Sequence, residues 1–281
     1  MITPRASIPD AESVAAHYDD LDPFYRGIWG DHVHHGYWIS GKEAADEAVL
    51  NLTHLIAQRA GIGAGTRVCD IGCGYGATAA ILARDYGAKV TGITVSSKQF
   101  ERAQSAATTS DNLRFLLGDA LESGLESASF DSVIVIESSE HMPDKAKFFT
   151  EARRLLRPQG RLVIAAWLTR ERPGRAEVKL LLEPICVEGR LPSLASASEY
   201  IQMLSCAGFQ DIKFTDSTRC VQKTWSLCVA RIIRKSITDP SFRRRWRDPA
   251  LSNRIFAKTV FRIWLAYKTG SMRYGIFSAA K

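Results

Sequence analysis

The feature that most constrains this chain is an alternation that runs from residue 66 to residue 168. Short apolar runs at 66–71, 88–93, 112–117, 131–137 and 161–168 are separated by amphipathic segments at about 76–86, 97–107 and 145–156. Runs of that length read as buried strands, and the segments between them repeat apolar residues at helical spacing. Strand, helix, strand at this pitch means βαβ units and a largely parallel sheet. Arg157-Pro158-Gln159-Gly160 reads as a helix stop and a turn before the fifth strand. A helix at about 198–207 and a strand at about 210–216 continue the pattern. Residues 219–272 are mostly helical and rich in Arg and Trp, and Arg273 to Ala279 can return as a last strand. Ahead of the alternation, Asp10 can cap a short helix running to about Asp20. Phe24 to Trp38 is aromatic and His-rich, with neither helical nor strand period. In Lys42 to Ala60, Ala45, Ala48, Val49, Leu52, Leu55 and Ile56 follow helical spacing, and Gly61 ends the run.

A length of 281 residues suits one domain with an elaboration. Its parts are expected to be N-terminal helices and a lid (1–60), a cofactor-binding core (61–218), a helical basic cover (219–272) and a last strand (273–281). Hydrophobic residues at 46% can fill a core, which excludes disorder over most of the chain. No run approaches the roughly 18 consecutive apolar residues of a membrane span, and Met1 to Asp10 lacks the apolar core of a signal peptide. The six cysteines show no zinc-like pairing, so a reduced cytoplasmic setting is expected. The formal net charge of +7 alone admits nucleic acid, an acidic membrane surface or an anionic substrate.

Chemistry concentrates at the end of the first strand, in Val68-Cys69-Asp70-Ile71-Gly72-Cys73-Gly74-Tyr75-Gly76. Such glycines permit tight turns at positive φ and close approach of backbone to a ligand, and the helix that follows favours anionic groups at its N-terminus. The loop also satisfies a dinucleotide pattern, Gly72-x-Gly74-x-x-Ala77. A dinucleotide enzyme would want an acid at the end of the second strand, and that strand ends Gly92-Ile93-Thr94-Val95-Ser96. The acid sits instead at Asp70, which fits a cationic cofactor better than a pyrophosphate. Gly118-Asp119-Ala120 ends the third strand and offers a carboxylate to an adenine amino group. Ser96-x-x-Gln99 also reads as a capping box.

This set resembles the class I S-adenosylmethionine-dependent methyltransferases. The resemblance implies a Rossmann-like, doubly wound α/β fold with seven strands, mostly parallel with the last antiparallel, and a helical cover inserted before that last strand. It implies S-adenosylmethionine as cofactor, with Asp70, Gly72, Cys73, Gly74 and Gly76 in the cofactor loop and Gly118, Asp119 and Ala120 near the adenine. Thr94 replaces the usual acid of the second strand. The segment Gly92 to Gln99 looks like that of the tocopherol methyltransferases and cyclopropane fatty-acid synthases, in which the Thr and Gln hold the ribose.

Three strings narrow the likeness to the γ-tocopherol methyltransferase type: Trp29-Gly30-Asp31-His32-Val33-His34-His35-Gly36-Tyr37-Trp38, Glu137-Ser138-Ser139-Glu140-His141-Met142-Pro143-Asp144-Lys145, and the ending Ala266-Tyr267-Lys268-Thr269-Gly270. The likeness runs from about Tyr18 to Ala279. His32, His34 and His35 could form a metal cluster, but Asp31 is the lone carboxylate beside them and the family implies no metal. A lid at the methionine end of the cofactor is expected instead, with His34 and His35 against it. Glu137, at the strand end, is expected in the cofactor shell or in a structural role. Glu140 and His141 follow the fourth strand at the edge where such sheets bind ligands, and either or both are candidates for base and orienter. Trp167, Trp225, Trp246 and Trp264 are candidates for an apolar acceptor pocket or for plain core.

The function implied is methyl transfer, to carbon or oxygen, onto a small lipophilic acceptor of phenolic, aromatic or prenylated type. The alternatives are lipid or isoprenoid modification of the cyclopropane-synthase kind and a cyclase that retains the cofactor. A nucleic-acid module with a vestigial cofactor fold is weighed down by the intact glycine loop and Asp119, so no nucleic-acid partner is expected. The N-terminal helix is open to closing the site or to meeting a second subunit in an oligomer. The charge is divided: Arg219 to Lys281 holds 15 Lys or Arg against 2 Asp or Glu, and Met1 to Thr218 has a net charge of −6. The basic cover therefore admits peripheral contact with an anionic membrane, or an acceptor with an acidic group.

Overall fold

The central strands are apolar on both faces, as a sheet covered by helices on both sides demands, whereas the edge strand at residues 210–216 is largely exposed. In β1 (Arg67–Ile71) every residue after Arg67 is buried. It pairs in parallel with β2 (Lys89–Thr94), Asp70 opposite Gly92, and with β4 (Phe130–Ile136), Asp70 opposite Ile134. β3 (Leu113–Leu117) adds to β2, and β5 (Leu156–Thr169) to β4, both parallel. β6 (Gln210–Asp216) and β7 (Met272–Ala280) complete one seven-stranded sheet in the order β3-β2-β1-β4-β5-β7-β6, with β7 antiparallel to both neighbours. The chain winds one way from β1 to β3 and the other way from β4, which opens a crevice at the carboxyl ends of β1 and β4. The computed structural model describes residues 1–4, 8–107, 110–247 and 253–281.

The helices are α1 (Ala11–Ile28), α2 (Ala45–Ala60), α3 (Ala77–Tyr86), α4 (Ser97–Ala107), α5 (Lys145–Leu155), α6 (Arg175–Glu177), α7 (Glu183–Glu188), α8 (Ala197–Cys206), α9 (Thr218–Val221), α10 (Lys223–Thr238), α11 (Pro240–Arg247) and α12 (Asn253–Thr269). α5 and α8 cover one face of the sheet, where Phe148, Phe149, Tyr200 and Leu204 pack on Val133, Ile164 and Phe277. The core of the other face draws on α1, α2, α3, α7, α10 and α12.

Four expectations are corrected. The first helix does not end near Asp20. It continues through Phe24, Tyr25 and Ile28, which join Val14, His17 and Leu21 on one buried face. Pro23 lacks the N–H that would reach the Asp19 carbonyl, and that carbonyl accepts from Lys98 Nζ at 2.6 Å instead. Second, Arg157–Gly160 is not a separate turn before β5 but a bulge within it. Phe130 pairs with Leu156 and Ser132 with Arg161, so the intervening residues loop out with Gln159 at φ 64°. Third, an unanticipated helical stretch fills 175–188, with a π turn at Val178–Leu182 between α6 and α7. Fourth, the Ser96 capping box is half formed. Ser96 Oγ accepts from Gln99 N–H at 3.1 Å, but the Gln99 side chain turns to Thr94.

Candidate active site

Two joined cavities and a side chamber occupy the crevice. The larger encloses about 770 Å³, part of it open to solvent. The loops after β1, β2, β3 and β4 line it through Gly72, Gly74, Thr94, Gln99, Gly118, Asp119, Ala120, Glu137 and His141, and α1 closes over it with Ala11, Val14 and Tyr18. The chamber beside it is lined by His32, His34, Asp70, Cys73 and Thr78.

The glycines of the loop serve different ends. A Cβ on Gly72 would lie 2.2 Å from Ser138 Cβ, so Gly72 lets the loop after β4 close onto β1, where Ser138 Oγ donates to the Ile71 carbonyl at 2.6 Å. Around Gly74, at φ 56°, a Cβ would meet nothing within 4 Å, and its backbone is open to the cavity. Gly76 departs from the expectation. A Cβ there would strike Phe115 at 2.5 Å, so it allows packing of α3 on the sheet and does not line the cavities.

Asp70 is 2% exposed, its Oδ2 has no partner, and burial pushes its carboxyl up to about 7. Such an orphaned carboxylate awaits a cation or donor from a ligand. Thr94 Oγ1 donates to Gln99 Oε1 at 2.9 Å, which joins the two polar groups at the cavity wall. Asp119 Oδ1 accepts from Leu121 N–H at 2.8 Å.

Glu137 lines the larger cavity but its carboxylate is spent on partners within the protein, and His35 lines neither cavity. The Glu137 carboxylate takes four donors, each at 2.8 Å: His35 N–H and Tyr274 Oη on Oε1, His35 Nδ1 and Trp167 Nε1 on Oε2. Trp225 Nε1–H donates to His35 Nε2 at 2.6 Å, so the His35 ring proton lies on Nδ1, facing Glu137. Burial raises the Glu137 carboxyl, but the His35 contacts outweigh it and hold it at about 2. These bonds also hold Glu137 at φ 54°, unusual for a residue with a Cβ. The carboxylate has no capacity left for a ligand. It fastens the His-rich segment to the sheet, and His34, next along, reaches the side chamber.

The second cavity, about 570 Å³ including space open to solvent, is lined by Tyr18, Tyr25, Trp29, Val33, Glu137, Glu140, His141, Trp167, Ile185, Gly189, Leu191, Trp225, Thr259 and Ile263. It contains Trp167 and Trp225 of the expected tryptophans. Trp264 instead donates to Ser226 Oγ, and the Trp246 side chain lies outside the described residues. Tyr18, Val33, Glu137 and His141 line both cavities. His141 Nδ1 lies 3.1 Å from the Arg190 carbonyl, which can only accept, so Nδ1 carries the proton. The bare Nε2 accepts from the Tyr18 hydroxyl at 2.8 Å. Burial lowers His141 to about 4, so the ring is neutral at pH 7, and burial raises the Tyr18 hydroxyl. Glu140 accepts from the Trp167 N–H and, at 3.2 Å, from Ser139 Oγ, and burial raises its carboxyl to about 7. Buried Lys145 fixes this turn, with Nζ 3.0–3.3 Å from the Glu140, Met142 and Ser193 carbonyls and Ser193 Oγ.

Tyr18 went unread in the sequence as a site residue. Its signal was weak: helical spacing from Val14 and Leu21, on a helix expected to stop at Asp20. No group of three or more His, Cys, Asp or Glu among the described residues is arranged to hold a metal.

A family described as methyltransferase domain matches residues 69–164. The chloroplastic tocopherol O-methyltransferase of Arabidopsis thaliana is 31% identical, over 96% of this chain and 82% of its own length. Among solved structures, the cyclase SpnF aligns over 100% of this chain and 99% of its own, with a TM-score of 0.82 and 26% identity. The mycolic acid cyclopropane synthase CmaA1, complexed with SAH and CTAB, aligns over 98% and 99% with a TM-score of 0.85 and 22% identity, a likeness of fold.

Proposed function

The chain belongs to the S-adenosylmethionine-dependent methyltransferases, and we propose that it methylates a hydroxyl-bearing, uncharged, lipophilic acceptor of phenolic or prenylated type. The residues of the larger cavity and of its side chamber suit the cofactor. Asp70 offers the unpartnered carboxylate that an ammonium group would satisfy, Gly74 gives open backbone, Thr94 and Gln99 would take the ribose hydroxyls, and Asp119 an adenine amine. When bound, S-adenosylmethionine supplies a methyl group on positively charged sulfur, already activated for displacement.

What this chain adds is alignment and proton handling. Alignment can be worth roughly 7–11 kcal/mol of barrier. The Tyr18–His141 pair at the junction of the two cavities carries the reading. With its hydrogen on His141, the Tyr18 oxygen can accept from an acceptor hydroxyl. As that hydroxyl attacks, its proton passes to Tyr18 while the Tyr18 proton passes to His141 Nε2. Glu140 lines the acceptor cavity only and serves as orienter, accepting a hydrogen bond from the acceptor. The lining holds two carboxylates, aromatic and aliphatic groups, and no Lys or Arg among its described residues, which disfavours an anionic acceptor.

His141→Ala and Tyr18→Phe test the relay at saturating cofactor. Each should lower turnover by about 100-fold or more, with S-adenosylhomocysteine binding kept. Near-normal turnover in both would sink it. The whole-chain likeness to SpnF favours a second reading, in which the apolar cavity folds an unsaturated acceptor without using the methyl group. It predicts product with S-adenosylhomocysteine in place of the donor; the cyclopropane-synthase alternative would show the label as a ring carbon.

A further inference from the structure

Building on the lipophilic acceptor proposed above, we propose that the outward faces of α10 and α12 form a docking surface for an anionic lipid membrane. The inner faces of these two helices wall the acceptor cavity, through Trp225 on α10 and Thr259 and Ile263 on α12. The helices pack side by side. Their opposite faces bear Ile233 and Ile237, 49% and 71% exposed and one turn apart, and Phe261 and Leu265, 36% and 43% exposed and again one turn apart. Arg234, Lys258 and Lys268 are exposed on the same helices, and neither helix contains an Asp or Glu.

A lone exposed isoleucine is ordinary. Paired apolar side chains interspersed with cations, on two adjoining helices free of carboxylates, have the composition of an interfacial surface. The charge division supports the same occupant. Residues 219–281 carry 15 basic against 2 acidic side chains, whereas the rest of the chain is net negative, so this segment favours a partner rich in anionic headgroups. Nucleic acid would meet the cations but leave Ile233 and Ile237 in water. No helix among the described residues is long and apolar enough to cross a membrane, so the contact is peripheral. A lipophilic acceptor would then pass from the lipid to the cavity beneath these helices with little exposure to water.

Co-sedimentation with vesicles tests this. The protein should pellet about tenfold more with phosphatidylcholine vesicles containing about 30 mol % phosphatidylglycerol than with phosphatidylcholine alone. That excess should vanish at about 0.5 M salt. Ile233→Glu with Ile237→Glu, and separately Arg234→Glu with Lys258→Glu, should each lose it while binding S-adenosylhomocysteine as the wild type does. Equal pelleting with both vesicle types, an unchanged excess in either double variant, or stronger binding to a DNA oligonucleotide at the same salt would overturn the proposal. The vesicles carry no acceptor, so this result is independent of whether methyl transfer to a lipophilic hydroxyl is found.

Discussion

Asp70 concentrates the electrostatics of the cofactor site in one side chain. Its ordinary pKa of 3.8 is pushed to about 7 by burial, and its Oδ2 has no partner. In the free protein this costs stability. The folded state holds a proton that the unfolded state gives up, so stability falls as pH rises from about 4 to 7. A cationic ligand reverses the sign, because it binds the ionised form. The dissociation constant for S-adenosylhomocysteine, measured by calorimetry, should weaken by up to about tenfold per pH unit below 7 and level off above it. Asp70→Asn should bind weakly with little of that dependence. A wild-type profile flat from pH 5.5 to 8 would remove Asp70 from cofactor binding. The position of Asp70, Gly74 and Asp119 along the crevice was legible because the end of a strand dictates where the backbone goes. For Glu137 the sequence left a cofactor shell and a structural role open, because nothing local in it shows that four donors from three segments, His35 among them, converge on one carboxylate. Glu140 and His141 were placed at the correct edge. The role proposed for His141 depends on its bond to Tyr18, 123 positions away, which spacing alone does not reveal.

At the scale of elements, α1 is a cover held by polar anchors as well as by the buried face that runs from Val14 to Ile28. Asp22 accepts from Tyr75 Oη at 2.8 Å and from Arg102 at 3.1 Å, and Asp19 meets Ser96 and the start of α4. Val14 and Tyr18 on the same helix close the larger cavity. Asp22→Ala removes one anchor. Arg102 is 39% exposed, so screening limits the loss, and an increase of about tenfold in the release rate of S-adenosylhomocysteine is expected by stopped flow. Release at the wild-type rate would show that ligand exchange does not wait on α1. The strands and α3 to α5 were readable because buried apolar runs and amphipathic spacing are local signals. α1 runs past its expected end into a segment without clear helical period, and the Lys98 contact shows how the helix tolerates Pro23. The stretch 175–188 escaped because its π turn shifts the helical period, and Leu180 there is 66% exposed.

The whole molecule separates its tasks. The sheet's switch point places the cofactor cavity at the ends of β1 and β4. α10 and α12 wall the second cavity, and Arg234, Lys258 and Lys268 are exposed on them. The net +7 is thus a difference between two unlike parts, and the acceptor cavity takes no cation from it. The doubly wound architecture follows from the alternation of strands and helices. The second cavity does not, since Tyr18, Trp29, Glu140, Leu191 and Ile263 meet only in three dimensions. The most direct test is transfer of labelled methyl from S-adenosylmethionine to a panel of phenols, quinols, indoles and prenyl diphosphates. Label should enter the hydroxyl of an uncharged lipophilic phenol or quinol, and that transfer should be lost in His141→Ala. Label in the diphosphates alone, or in none of these with the cofactor shown to bind, would contradict the account.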